Sequence, residues 1–437
     1  MKILVIGNGF DLAHYLPTSY HHFMRVMLAV ENLPLEQKKV GFNDLFGEWT
    51  KKSEGWFFRR MNELYETKDI KLENEVIQSI KLELKANSWY RYFQNHLTNE
   101  NASWIDFETK IGEALESFSL IHARFETYKN EVGALPYLRL SGSDPNFKKL
   151  FKSTKFLDLL QCFGLLTVQF FSEHIQHSDL KPQIETITFN SEFFDEYKGD
   201  FEFSFSKLLF SLQKELHDFT EIFNIYLCEV VSKFKPKSKF KALELFDPNL
   251  KTVYSFNYTS TYKFLYSDEA DQVSVEFLHG KAEKPSSGLV LGIDEFPNEE
   301  LKATKAYGFV KYHQKLIKNT DYLFLSENNA VTKIQTSRLS VMADKRPSLE
   351  IYLWGHSLDV SDKNYIHEIF LLNDKEYQGK ESYQGRTTVI VFFHTDSSRF
   401  SMLSNLIHIL DKDIVERWMK KGWLKFQPAP DIYQLNS

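Results

Sequence analysis

Apolar residues along this chain follow two rhythms. Lys2–Ile6 is a compact apolar run of strand length, and similar runs recur after residue 250: Thr252–Phe256, Val273–Leu278, Leu289–Ile293, Leu349–Trp354 and Thr387–Phe393. The last reads Thr-Thr-Val-Ile-Val-Phe-Phe, continuous and β-branched, as in a strand buried on both faces of a parallel sheet. A helix over 362–373, capped by Ser361, is predicted between the last two runs.

From about residue 20 to 245 the period changes to that of helices. The clearest stretch is 208–231, where Leu209, Leu212, Leu216, Phe219, Phe223, Tyr226 and Val230 recur at steps of three and four. That is one apolar face of a packed amphipathic helix. Segments 76–98, 106–130 and 147–175 read the same way. Phe201, Phe203 and Phe205 alternate as in a strand, but the helical surroundings assign them to a helix. The predicted fold is α/β, a doubly wound, mostly parallel Rossmann-like sheet carrying a large α-helical insertion. Residues 1–20 and 246–437 are expected to form this Rossmann-like domain, and 21–245 the insertion.

At 437 residues the chain is too long for one ordinary core, which fits two structural regions. Phe, Tyr and Trp make up 15% of it, a load that a phenylalanine-rich helical core absorbs. The net charge of −6 argues against a surface devoted to nucleic acid. Five lysines between Lys233 and Lys241 surround Pro236 and read as a solvated linker. The two cysteines, Cys162 and Cys228, lie in apolar helical patterns and are expected to be buried, reduced thiols. Lys2–Ile6 runs into Gly7 with no cleavage site. The best membrane candidate, 156–171, is broken by Asp158, Gln161 and Gln169, so it reads as a core helix. A soluble cytoplasmic protein with no membrane partner is expected.

Gly7-Asn8-Gly9-Phe10-Asp11 follows a strand and opens a helix, where glycines permit a tight turn and backbone N–H groups attract phosphate. The match to Gly-x-Gly-x-x-Gly is incomplete, since Leu12 stands at the last position. Taken alone, the turn is equally well explained as a helix start capped by Asp11. Asp106 and Glu108 stand two apart, about 200° around a helix, so they cannot act as a pair on one face. Helix-surface salt bridging, Asp106 with Lys110, is the plain alternative to a catalytic role. His174 and His177 share a helix face without a further ligand, and no metal is expected. No Gly-x-Ser-x-Gly elbow or Walker lysine is present.

The longer run Gly7–His14 with Leu16-Pro17-Thr18-Ser19-Tyr20 resembles the opening of the bacteriophage abortive infection AbiH family. The resemblance recurs at Trp104-Ile105-Asp106-Phe107-Glu108 and at Gly355-His356-Ser357-Leu358-Asp359. A more distant resemblance is to the sirtuin-type NAD site. It rests on Gly7-x-Gly9, Leu16-Pro17-Thr18, Phe256-Asn257-Tyr258, Leu278-His279-Gly280 and Gly355-x-Ser357-Leu358, in that order. Thr259 stands where the sirtuin motif carries Asp, and His356 replaces its Thr. Two cysteines cannot supply the four-cysteine zinc module of protein deacylases, so deacylation is not implied.

These resemblances imply a phage-defence protein acting as an NAD hydrolase that breaks the nicotinamide–ribose bond, with NAD as substrate rather than cofactor. His279 would be the base, Asn257 would position ribose or water, and Asp106 would reach in from the insertion. Gly7, Asn8 and Gly9 would hold phosphate, Ser357 a ribose hydroxyl, with Phe10, Asp11, Gly355, His356 and Leu358 completing the nucleotide site. A phage-derived trigger and a homo-oligomer are the further partners this reading allows. The rival readings are a non-catalytic nucleotide-sensing module and a nucleic-acid-targeting toxin acting through Lys233–Lys241.

Overall fold

The computed structural model describes residues 1–34, 39–47, 55–68, 70–96, 104–151, 156–170, 184–267, 273–286, 288–320, 324–325, 328–340, 347–373 and 387–437. The chain forms two compact units. The first comprises Met1–Gln78, Phe223–Val290 and Tyr312–Ser437, the second Ser79–Ile222 and Leu291–Lys311. The first unit therefore takes in 21–78 and 223–245, which the sequence pattern assigns to the insertion.

The first unit is built on a six-stranded sheet. Numbering only its strands, these are β1 (Lys2–Ile6), β2 (Leu250–Ser255), β3 (Ser274–Phe277), β4 (Leu349–Trp354), β5 (Thr387–Phe393) and β6 (Leu424–Pro428). Their spatial order is 3-2-1-4-5-6, and every pairing is parallel. That is the doubly wound order of dinucleotide-binding sheets, in which the direction of winding reverses between β1 and β4. Both faces are covered, as parallel sheets require. One carries Ile3, Val5, Tyr254, Ile351, Leu353, Val389 and Val391 into a core with Ile366, Leu406 and Trp418. The other buries Leu4, Ile6, Val253, Trp354 and Ile390.

Register then places the site. Ile6 pairs with both Ser255 and Trp354, Ser255 with Phe277, and Trp354 with Phe392. The central strands thus end at one level. Gly7, Asn257, His279 and Gly355 all emerge just beyond it, the edge where open α/β sheets bind ligands.

Two strand expectations change. Leu289–Ile293 is not in the sheet: Val290 donates to the His279 carbonyl, and Ile293 makes only an isolated bridge to Val310. These loop bonds satisfy its backbone without a ladder. β6, Leu-Lys-Phe-Gln-Pro, is an edge strand that its mixed pattern does not announce.

Around the sheet lie α1 (Asn8–Ala13) and α2 (Tyr20–Asn32), the latter capped by the Ser19 side chain on the His22 N–H. The lysine-rich stretch is not a free linker. Lys235–Pro236 pairs with Tyr65–Glu66, and Phe234 and Phe240 are buried, while the lysines stay exposed.

The second unit is helical but also carries strands, against the expectation of an almost wholly helical stretch. Its long helices are α3 (Trp104–Val132) and the first part of α4 (Phe205–Glu229). The predicted apolar stripe of α4 is buried from Leu209 to Val230. Segments 139–141, 184–189 and 166–170 form an antiparallel sheet, so among the described residues of 156–171 the α-helix covers only Leu157–Cys162. Asp200–Phe203 is a strand, not a helix, paired with Phe194–Tyr197. The reason is the turn: Lys198 and Gly199 both have positive φ, 55° and 89°, the backbone that closes a tight hairpin. His174 and His177 lie outside the described residues. Cys162 and Cys228 are unbridged and half-buried, where buried thiols were expected. Among the described residues no helix is long and apolar enough to cross a membrane.

Candidate functional site

The glycines of the two outer motifs meet at the switch point between β1 and β4. Gly7 N–H donates to the Trp354 carbonyl at 3.0 Å, and Gly9 N–H to the Gly355 carbonyl at 2.9 Å. A Cβ on Gly9 would lie 2.7 Å from Gly355 Cα, and one on Gly355 would lie 2.0 Å from Phe10 N. Gly355 also has φ of +72°, a conformation that favours glycine. Two backbones therefore cross here at a distance that admits no side chain. Phe10 N–H turns back to the Gly7 carbonyl. Of the three residues expected to hold phosphate, Gly7 and Gly9 thus have their N–H groups bonded within the chain, as has the neighbouring Phe10, so a phosphate at this turn would draw on donors other than these.

The rest of the opening motif divides into packing and polar roles. Asn8 accepts from Thr18 Oγ1 at 2.7 Å, which joins the Gly-x-Gly turn to the Leu-Pro-Thr element. His14 is fully buried between the Phe10 carbonyl (2.7 Å) and the Tyr266 hydroxyl (2.6 Å). Burial lowers its pKa to about 4. A carbonyl can only accept, so Nδ1 carries the proton and Nε2 accepts from Tyr266. His14 is a core residue tethering α1.

Asp11 is also fully buried, and removal from water raises its pKa from 3.8 to about 6. Thr259 donates a hydrogen bond to its Oδ2, with Thr261 bonded to Thr259 at 3.0 Å. Thr259 stands where the sirtuin-type motif has Asp, and a carboxylate there would face a second buried carboxylate. Asn257 leans towards Asp11 closely enough to favour its charged form. Its main chain is fixed by Ser255, whose Oγ donates to the Asn257 carbonyl and accepts from its N–H. Among the described residues, neither side-chain atom of buried Asn257 makes a well-formed hydrogen bond, nor does Asp11 Oδ1. Buried amides left in that state are uncommon and mark places where a ligand or water completes the bonding.

Beside them lies a histidine–carboxylate–histidine row. His279 Nε2 faces Asp362 Oδ1 at 3.7 Å, and His356 Nε2 lies 3.3 Å from Asp362 Oδ2. All three are buried. The Phe256 ring packs edge-on against both imidazoles, at 5.2 Å from His279 and 4.4 Å from His356, and against Tyr365 at 5.1 Å. Asp362 was not among the residues singled out from sequence. Its only signal was position, at the start of the predicted helix after the Gly-His-Ser-Leu motif.

The remaining candidates are placed as follows. Leu358 is buried, whereas Ser357 is exposed and its carbonyl accepts from Asn405. Asp106 is exposed on the first turn of α3, in the second unit. Glu108 is not a surface residue: its carboxylate pairs with buried Lys311 at 2.5 Å. Phe107 stacks on Phe219 with ring planes 13° apart. The middle motif thus supplies the packing of the second unit. Among the described residues no cluster of His, Cys, Asp or Glu is arranged to hold a metal ion.

No curated protein and no solved structure matches the chain. The family model described as bacteriophage abortive infection AbiH matches residues 3–378, a span that takes in all three motifs and the residues converging at the strand ends. The chain therefore belongs to the bacteriophage abortive infection AbiH family.

Proposed function

We propose that this abortive-infection protein acts by hydrolysing NAD at the nicotinamide–ribose bond. The observation that carries the reading is the buried Asn257 amide without a well-formed bond, set beside Asp11 and His279 at the strand ends flanking the switch point. In the reaction the C1′–N bond breaks with its electron pair going to the nicotinamide nitrogen. Water adds its oxygen to C1′, and one proton leaves. The ribose is cationic at the transition state, so a base acting on a ribose hydroxyl or on the water, together with nearby carboxylates, stabilises it. His279 is proposed as that base, and Asn257 as the group that positions ribose or water. Asp11 is proposed to bind ribose hydroxyls rather than phosphate, since two negative groups repel. Ser357, exposed at the motif's edge, remains a candidate ribose contact. Asp106 carries no step in this reading.

The test is nicotinamide release by purified protein and in phage-infected cells. His279→Ala and Asn257→Ala should each slow release by roughly 10²–10⁴, while NAD binding weakens far less. Equal turnover by wild type and His279→Ala defeats the mechanism. NAD binding with no release, even in infected cells, establishes the nucleotide-sensing reading instead.

A further inference from the structure

We propose that Asp362 is a positioning residue, anchored by His356, that fixes the tautomer of His279 and so presents its Nδ1 lone pair to the substrate. The inference deepens the NAD-hydrolase reading and rests on it for the reaction, but the relay itself stands on geometry.

The chain of constraint begins in the backbone. Leu358 adopts a left-handed φ of 54°, uncommon for a bulky residue. In that conformation its N–H donates to His356 Nδ1 at 2.9 Å. An Nδ1 that accepts cannot carry the proton of a neutral ring, so His356 holds it on Nε2, the atom 3.3 Å from Asp362 Oδ2. One carboxylate oxygen is thereby committed to His356. The other, Oδ1, faces His279 Nε2 at 3.7 Å, beyond hydrogen-bond reach but within ion-pair range. The negative charge at that distance favours the Nε2–H tautomer of His279, and a closing of the gap by a few tenths of an ångström would make the bond, leaving Nδ1 as the atom able to take a proton.

A second observation points the same way. Asp362 occupies the N-cap of α5 (Lys363–Leu371), where an Asp side chain ordinarily accepts a hydrogen bond from an amide of the first turn. It makes no such bond. The preceding residue of the same type, Asp359, does cap: its Oδ1 accepts from Ser361 N–H at 3.0 Å in the short 3₁₀ turn Val360–Asp362. The sequence thus offers two acidic caps in one loop, and the structure diverts one of them to the histidines. When His279 takes up a proton at Nδ1, its Nε2 proton stays in place and Asp362 stays ionised, facing the new imidazolium. The Phe256 ring packs on His279 and on Tyr365, and the buried Lys315 ammonium lies 4.5 Å from the Tyr365 ring. Strain at Leu358 and a forgone cap are the sort of local cost that collects at functional sites.

The experiment is long-range ¹H–¹⁵N spectroscopy of the imidazoles in the full-length protein, assigned through His279→Ala and His356→Gln. In wild type at neutral pH both rings should be Nε2–H tautomers. In Asp362→Asn the side chain offers one acceptor oxygen to two N–H donors, so at least one ring should change tautomer. Nicotinamide release by that variant should then fall in kcat on the order of 10²–10⁴-fold with KM little moved. An Nδ1–H tautomer of His279 in wild type, or both rings unchanged in Asp362→Asn, overturns the relay. Because the wild-type spectrum is decisive, failure of the variant to fold does not shield the idea. Expected tautomers without NAD cleavage would sink the reaction and leave the relay standing.

Discussion

Replacing Asp11 by Asn should stabilise the first unit at neutral pH, because the native carboxyl is buried at a cost. Burial lifts its pKa from 3.8 to about 6. The folded state therefore binds the proton more tightly than the unfolded chain. Stability from this group is complete below pH 4 and is lost as pH rises through 6. At about 1.4 kcal/mol per pH unit, the loss at pH 7.5 is about 3 kcal/mol. His14 acts in the opposite sense. Its folded pKa is depressed from 6.5 to about 4, so its contribution is present above 6.5 and falls away as pH drops through 4, again by about 3 kcal/mol. In the wild type the two effects largely cancel between pH 4 and 6.5. Comparing wild type with Asp11→Asn removes the His14 effect, because both proteins carry it. The amide keeps the shape and an acceptor for Thr259, so no cavity opens. The assay is urea unfolding read by hydrogen–deuterium exchange of peptides covering β1 and β4, at pH 4 and pH 7.5. The variant should match wild type at pH 4 and exceed it by about 3 kcal/mol at pH 7.5. A variant no more stable than wild type at pH 7.5 would refute the argument that the carboxylate is held against its solvation.

Gly9→Val should cost more than about 3 kcal/mol in the same unit, because the added carbon meets Gly355 backbone that cannot yield. Ser357→Ala, at an exposed position, should stay within about 0.5 kcal/mol; equal melts for the two variants would contradict the backbone-crossing account. Thr259→Asp places a second carboxylate against Asp11, so its deficit should be largest above pH 6 and shrink towards pH 4, a trend that pH-dependent melts would show or deny. Glu108→Gln removes the carboxylate paired with buried Lys311 and should weaken the second unit by about 3 kcal/mol, seen as faster exchange along α3. Unchanged exchange there would mean the pair is solvated.

Much of the sheet was legible because a strand buried on both faces cannot disguise itself. Leu349–Trp354 and Thr387–Phe393 are bounded in the structure where their apolar runs begin and end. The helical face of Leu209 to Val230 was equally plain, since a period near 3.6 has one physical meaning. Edge strand β6 was not legible, since its place comes from a neighbour's ladder and its own pattern is mixed. At the hairpin Phe194–Phe203 the alternation of Phe201 and Phe203 was legible, but it was outweighed by the helical surroundings because the two positive-φ residues that close the turn leave no apolar signal. The motifs identified where the site lies without saying what each residue does there. Gly7 and Gly9 read as a phosphate turn and Gly355 as part of the nucleotide site, yet all three are demanded by two backbones crossing, a fact that exists only once β1 and β4 are neighbours. His14 and His279 are both histidines beside strand ends. The fold makes one a neutral core tether and sets the other against Asp362, because only packing decides which ring loses its water and which meets a carboxylate.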